Sequence, residues 1–502
     1  MSTLENKIVV PDTVVDSNND IMMVLGTPNM PKVKTQLQEY YNEEEINTMT
    51  NAGVFERMKF GINPYYNAIV TGGGFTPKDG SPALPNMPAS EPVRNLVVPV
   101  IAEVTSGLEG DKDPSNQNKY APKELGQVAI HKYEEIVLGY VAKACSAHCR
   151  YCYRLDLFSG KTDKGVVSAE EVRDYIMKFN QAIVDNNGIN PNTGKKGYPV
   201  REFLLSGGDP MVLTNKKIYR YLAAAAEAGV DTVRIGTKEL AFRPMRFDDN
   251  FVAMLNIFHS VHPNVHVNIV SHFTHADEFL ERDANNKYIQ PTRSTYKWLD
   301  AVREPVKKLQ ALHFVSIENQ TPVIKHINDS VEALHLLHKE LRRNNIKPKY
   351  IFNCRHIEGY KAFAVPVEAG WKMHNEAMKG LSDTAKSRFV MSAENGKLEI
   401  VSITDELPKE IASQIPADKR EAVQALLGDG IIVYKVYRSP SPKQTRGDLI
   451  IAKRNPEALW IDDYEDRIIY DGRLSGLEKF GGLIKLLAGS NLNDVKKKVV
   501  NG

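Results

Sequence analysis

What most constrains the fold is a series of six short apolar or β-branched segments, at 136–141, 203–206, 232–236, 265–270, 314–317 and 350–353. Each has the pattern of a parallel strand buried on both faces. The stretches between them carry helical periodicity and helix-start chemistry. Ser168-Ala-Glu-Glu171 fits a capping box, and residues 330–341 repeat apolar side chains at helical spacing. Strand and helix in alternation predict right-handed βαβ units, and six in succession curl more readily than they lie flat. The expected fold is α/β: a partial (β/α)6 TIM-type barrel with helical N-terminal and mixed C-terminal extensions.

In a parallel α/β fold the functional site lies at the C-terminal ends of the strands. Polar or glycine-rich residues follow each segment here. They are the cysteines at 145–152 after the first, Ser206-Gly-Gly-Asp209 after the second, Thr237 after the third, His272 after the fourth, Asn319-Gln320 after the fifth and Cys354-Arg355 after the sixth. One site in the mouth of the barrel is the economical expectation. The barrel core is assigned to residues 126–360. Before it, residues 1–125 mix helical segments with Pro/Gly-rich loops and read as an N-terminal helical domain. After it, 361–502 read as an α+β extension, with strand patterns at 398–403, 431–437 and 448–452 and a solvated helix end at 492–502. No internal repeat is present.

The 64 basic and 62 acidic residues leave a net charge of +2, so no global field directs the chain to nucleic acid or an anionic membrane. No apolar stretch reaches the ~20 residues that span a bilayer, and the N-terminus lacks a signal-peptide pattern. The reading is a cytoplasmic protein with a small-molecule partner, in a compartment that keeps its four cysteines reduced. Three of the four fall within eight residues, as Cys145-Ser-Ala-His-Cys149-Arg-Tyr-Cys152. Three thiolates can grip three irons of a 4Fe-4S cubane and leave the fourth iron open to a ligand. Zinc held with His148 is a competitor, but zinc folds usually pair two ligand clusters and no second pair occurs. A ferredoxin centre would need a fourth nearby cysteine. Cys354 is some two hundred residues away and reads as a buried core thiol.

The CxxxCxxC spacing after a first strand resembles the radical S-adenosylmethionine (SAM) superfamily. Within it the chain is similar to lysine 2,3-aminomutases over roughly residues 55–410. The matching stretches are Asn63-Pro-Tyr-Tyr66, Pro92-Val-Arg94 with Pro99, residues 145–160, Leu204-Leu-Ser-Gly-Gly-Asp209, Val233-Arg-Ile-Gly236, Ser271-His-Phe273 with His275, Asn319-Gln320, Asn328-Asp329 and Tyr350-Ile-Phe-Asn-Cys354. The resemblance implies a 4Fe-4S cluster on Cys145, Cys149 and Cys152. It implies SAM contacts from Ser206, Gly207, Gly208, Asp209, His272 and Gln320, and a substrate carboxylate on Arg154. It also implies a homo-oligomer and an electron donor such as flavodoxin or ferredoxin.

Two departures bear on chemistry. The aminomutases hold pyridoxal phosphate on a lysine in a Gly-Lys loop, but between Pro366-Val367 and Phe389-Val-Met-Ser392 that loop is missing. Two family arginines associated with the cofactor correspond to Lys132 and Ile136. Pyridoxal phosphate is therefore expected to be absent, with Lys386 and Lys397 as the lysines that could replace the lost one, Lys397 fitting a turn between strands. The aspartate that holds the distal ammonium of lysine corresponds to Arg355, which reverses the sign of that wall and favours an anion. The expected function is a radical SAM enzyme acting on a carboxylate-bearing substrate other than lysine, by rearrangement, elimination, epimerisation or dehydrogenation. The alternatives are an aminomutase with a displaced Schiff-base lysine and a non-catalytic iron–sulfur protein.

Overall fold

The computed structural model describes residues 7–17, 30–155, 165–394, 396–405, 413, 417–418, 427–440 and 447–483; the tail at 492–502 and part of the 145–160 match lie outside them. Sixteen strands occur among these residues. Two small hairpins stand apart, β1 (Gly73–Phe75) with β2 (Leu84–Met87), and β5 (Ile189–Asn190) with β6 (Lys195–Lys196). The others are β3 (Ala129–Tyr133), β4 (Ile136–Ala142), β7 (Glu202–Gly207), β8 (Thr232–Thr237), β9 (His266–Ser271), β10 (Val315–Pro322), β11 (Lys347–Phe352), β12 (Arg388–Ala393), β13 (Gly396–Thr404), β14 (Ile431–Arg438), β15 (Leu449–Lys453) and β16 (Ile468–Asp471). They form one sheet in the order β16-β15-β14-β13-β12-β11-β10-β9-β8-β7-β4-β3.

From β4 to β12 all neighbours are parallel, which accounts for the six expected strands and adds a seventh, β12. β3 and β13 to β16 are antiparallel. The expected α/β class holds, with a large, mostly parallel sheet; among the described residues no ladder closes that sheet, and β3 and β16 are its edges. Side chains nevertheless reach between its distant parts. Lys132 on β3 donates to the Ala393 carbonyl on β12 over 2.9 Å, and Arg438 on β14 pairs with Glu135 in the β3–β4 turn.

Alternation along each strand decides what faces the interior. Phe203 and Leu205 on β7, Val233 and Ile235 on β8, and Val267 and Ile269 on β9 are fully buried. Their neighbours Leu204, Arg234, Gly236 and Val270 line the cavity described below. The helix Ala169–Asp185 starts at the expected capping box: Glu171 N–H donates to Ser168 Oγ and Ser168 N–H to Glu171 Oε2. It buries Val172, Ile176 and Ile183. The helix Val331–Arg343, capped by Ser330, buries Leu334, Leu337 and Leu341, each contributing about 1.5–3 kcal/mol. One hydrophobic core runs from Ile8 to Phe363; a second joins the helix Val367–Ala377 to β12–β15 around Tyr434, Trp460 and Tyr464. Among the described residues no helix is long and apolar enough to cross a membrane.

Candidate active site

A cavity of about 370 Å³ opens where the parallel strands end. All eleven residues singled out in the sequence line it: Cys145, Cys149, Cys152, Arg154, Ser206, Gly207, Gly208, Asp209, His272, Gln320 and Arg355. They come from the loops after β4, β7, β9 and β11 and from the ends of β7 and β10 themselves, so the strand ends bring together what the chain separates by two hundred residues.

The cysteine loop is clamped by residues that precede the sheet. His148 N–H donates to the Gly61 carbonyl and Arg150 N–H to the Leu96 carbonyl, over 3.0 and 2.8 Å. Asn63 Nδ2 donates to Ser146 Oγ and to the Phe242 carbonyl, which explains the Asn63-Pro-Tyr-Tyr66 match. The Arg150 guanidinium, fully buried, donates to the Met58 and Lys59 carbonyls and pairs with Glu103, which also pairs with Arg57. Burial pushes the Glu103 carboxyl up, but the two guanidinia outweigh it and hold the acid below its ordinary range. Sequence reasoning missed Glu103, because nothing in its own segment marks an acid bound for Arg150.

A 4Fe-4S cluster fits this loop on the chemistry of its donors. The three thiols are unbridged and face one cavity. Burial raises Cys145 well above the usual thiol range and pushes Cys149 up to about 12, so both stay protonated until a cation displaces the proton. His148 is held neutral by burial, with Nδ1 at the Lys59 carbonyl, 3.1 Å away. Cys354, expected in the core, is buried yet also borders the cavity.

The glycines after β7 serve the cysteine loop directly. Gly208 N–H and Asp209 N–H donate to the Ala142 and Ala144 carbonyls. A Cβ on either glycine would come within 2.3 Å of those same oxygens, and Gly207 has φ +118°. The close approach that demands glycine is thus to the strand feeding Cys145. Asp209 accepts from Thr237 Oγ1, Lys238 N–H and Met211 N–H at 2.7–3.0 Å, and burial with nearby Glu239 raises it to about 7. His272 is kept neutral by burial and by Lys238, its Nε2 lying 3.1 Å from Tyr151 Oη. Lys238, also missed, ties this wall together by donating to the His272 carbonyl, Thr274 Oγ1 and Glu278.

The other end of the cavity is cationic. Arg154 donates to Ser206 Oγ over 2.8 Å and stacks on Tyr140 and Tyr153. The guanidinium carbon of Arg355 lies 4.6 Å from the same Tyr153 ring, and its Nη2 lies 3.4 Å from Ser392 Oγ. Burial first, and then Arg154, lower its pKa against the opposing effect of Tyr153, Asp113 and Tyr140. Lys132 is pushed down to about 8, by burial first and Arg355 second. Lys397 lies in β13 just past the turn expected of it, with its amine 4.4 Å from the Tyr350 ring. Lys386 sits outside the cavity, exposed and paired with Asp383. Seven basic side chains, Lys132, Arg154, Arg234, Lys238, Arg355, Lys397 and Arg438, line the cavity with the carboxylate of Asp209; Arg234 pairs with Glu202 and Glu318, Lys238 with Glu278 and Arg438 with Glu135, and burial holds the Lys397 amine well below the usual lysine range.

No family model matches the chain. It is 30% identical over 431 residues to an Aquifex aeolicus protein provisionally named L-lysine 2,3-aminomutase, covering 84% of this chain and 92% of the relative. It is 25% identical to the L-lysine 2,3-aminomutase of Clostridium subterminale, over 68% of this chain and 67% of that one. To the glutamate 2,3-aminomutase of Clostridioides difficile it is 24% identical, over 68% and 66% respectively. Together with a cysteine loop, glycine turn and polar strand ends that share one cavity, this likeness shows that the chain belongs to the lysine 2,3-aminomutase-like family of radical SAM enzymes.

Proposed function

We propose that the protein generates a substrate radical on a small amino acid whose distal group is anionic, not on lysine, and that it rearranges that substrate. The observation that carries this reading is the cluster of Arg154, Arg355 and Lys132 at one end of the cavity, where burial and the neighbouring cations lower the pKa of Arg355 and of Lys132. A lysine side chain would bring an ammonium against Arg355 and Lys132; a carboxylate or phosphate there relieves their mutual repulsion. A charged hydrogen bond contributes about 1.5–3 kcal/mol, enough for a tenfold to hundredfold preference. The relative named glutamate 2,3-aminomutase is in keeping with this reading.

Residue roles follow from position. Cys145, Cys149 and Cys152 would hold the cluster, which when bound and reduced supplies the electron that cleaves SAM and so produces the hydrogen-abstracting 5'-deoxyadenosyl radical. A one-electron donor such as flavodoxin or ferredoxin would provide that electron. Ser206 to Asp209, His272 and Gln320 would border SAM. Arg154, fixed by Ser206 and two tyrosine rings, presents a planar fork to the substrate α-carboxylate, and Arg355, across Tyr153, receives the distal anion. Holding both ends aims the carbon between them at one place and keeps water away.

The test is anaerobic. The protein is reconstituted with iron and sulfide, given dithionite and SAM, and assayed for 5'-deoxyadenosine with glutamate, aspartate or lysine present. The reading predicts formation that an acidic amino acid stimulates and lysine does not. A fully loaded, reduced protein that forms no deoxyadenosine with any of them would overturn it in favour of a binding role.

A further inference from the structure

Two guanidinium groups at the cationic end share one aromatic ring. The guanidinium carbon of Arg154 lies 4.7 Å from the centre of the Tyr153 ring, and that of Arg355 lies 4.6 Å from the same centre. The separation of the two cations therefore cannot exceed the sum of those distances, and the electron-rich ring offsets part of their repulsion. They are not held alike. Arg154 is fixed on three sides, by Ser206 Oγ at 2.8 Å and the Tyr140 ring at 4.5 Å as well as by Tyr153. Arg355 rests on Tyr153 and on a 3.4 Å contact with Ser392 Oγ. Burial disfavours its charge, and Tyr153 comes first among the neighbours that support it. The backbone leading to Tyr153 is pinned, since Cys152 N–H donates to the Cys149 carbonyl over 3.1 Å and the Cys152 carbonyl accepts from Tyr360 Oη. Tyr153 lines the cavity and is 42% exposed, so it meets whatever spans the two arginines.

We infer that Tyr153 gauges the length of the substrate: it sets how far apart Arg154 and Arg355 stand, so that an amino diacid of one chain length reaches both guanidinia at once. The inference rests on the proposed function, which places an anionic group at each arginine, and deepens it by adding a specificity-determining residue. A bidentate arginine–carboxylate contact has a narrow geometry, two parallel N–H···O bonds to one planar fork. A ligand one methylene too short engages only one fork, and one a methylene too long must coil to fit between them. Without the ring, Arg355 keeps only its contact with Ser392, and its flexible chain follows the far carboxylate wherever that lies. Length discrimination is then lost although both charges remain.

Equilibrium binding of aspartate, glutamate and 2-aminoadipate, with lysine for comparison, is measured on the cluster-loaded full-length protein with SAM, wild type beside Tyr153→Phe, Tyr153→Leu and Tyr153→Ala. The wild type should bind one of the three diacids at least about fivefold more tightly than the other two. Tyr153→Phe, which keeps the ring, should keep that order and spread. Tyr153→Ala, and Tyr153→Leu, which keeps bulk without the ring, should bring the three within about twofold of one another. Iron content and the melting transition of each variant report on cluster and fold, and a purely structural loss would weaken all three diacids by one factor and leave their ratios as they were. Wild-type ratios in folded, iron-loaded Tyr153→Ala or Tyr153→Leu, or a wild type that binds the three diacids alike, would overturn the inference and leave the anion-selective reading standing. A wild type that binds lysine in preference to every diacid would overturn that reading and the inference with it.

Discussion

The two ends of the cavity are built in opposite ways. At the cysteine end the three thiols lie within eight residues of chain, and the loop is tied by hydrogen bonds from His148 and Arg150 to Gly61, Leu96 and Met58, with the glycine turn donating to the residues just before it. At the hairpin end Lys132, Arg355, Lys397 and Arg438 come from β3, the loop after β11, β13 and β14, and meet only because the sheet bends. The first end is a local sequence feature held rigid, suited to chemistry shared across a family. The second is assembled by long-range pairing, and its charge can change one residue at a time. Specificity can therefore drift at the hairpin end while radical generation is retained at the other.

That comparison breaks first at the thiols. Cys149→Ala should abolish both iron loading and deoxyadenosine formation, whereas Cys354→Ser, which alters a thiol on the same cavity, should keep the iron of the wild type; iron analysis after reconstitution separates the two. Next is the clamp. Glu103→Gln strips the counter-charge from buried Arg57 and Arg150 and should destabilise the fold by about 3–5 kcal/mol in denaturant titration, with cluster loading falling in parallel. Arg154→Lys, which keeps the charge but loses the planar fork, should leave the cluster intact and raise KM tenfold to a hundredfold, about 1.5–3 kcal/mol of lost contact.

The smallest effect concerns the scaffold behind the hairpin, where Ser387 Oγ lies between His338 Nε2 and His374 Nε2 at 2.7 and 2.9 Å. Burial depresses these two imidazoles from 6.5 to about 4 and about 3. Both are neutral in the fold, so their contribution is fully present above pH 6.5 and is lost as pH falls toward the folded values. Stability should decline between pH 6.5 and about 4 by up to about 1.4 kcal/mol per pH unit for each histidine. His338→Gln should remove one proton from that slope in melts recorded across pH.

How much could be read from the sequence follows the same division. The cysteine spacing, the glycine turn and six of the seven parallel strands are local patterns, and each pointed to the right place in the fold. β12 and β16 were not among the strand patterns read from the sequence. Glu103 was missed because its partners lie some fifty residues away on either side. The placement of Lys397 depends on hairpin register, and a slip of one residue would have turned it away from the cavity. The replacement of an acid by Arg355 was visible, but its setting among Tyr153, Ser392 and Arg154 became evident only in the fold.

The most direct test of the central claim, that the cationic end selects an acidic substrate, is equilibrium binding of glutamate and lysine to the cluster-loaded protein with SAM, wild type beside Arg355→Asp. The account predicts that the wild type binds glutamate at least about tenfold more tightly than lysine, and that the charge reversal inverts the order. Tighter binding of lysine by the wild type, or an order unchanged in Arg355→Asp, would contradict it.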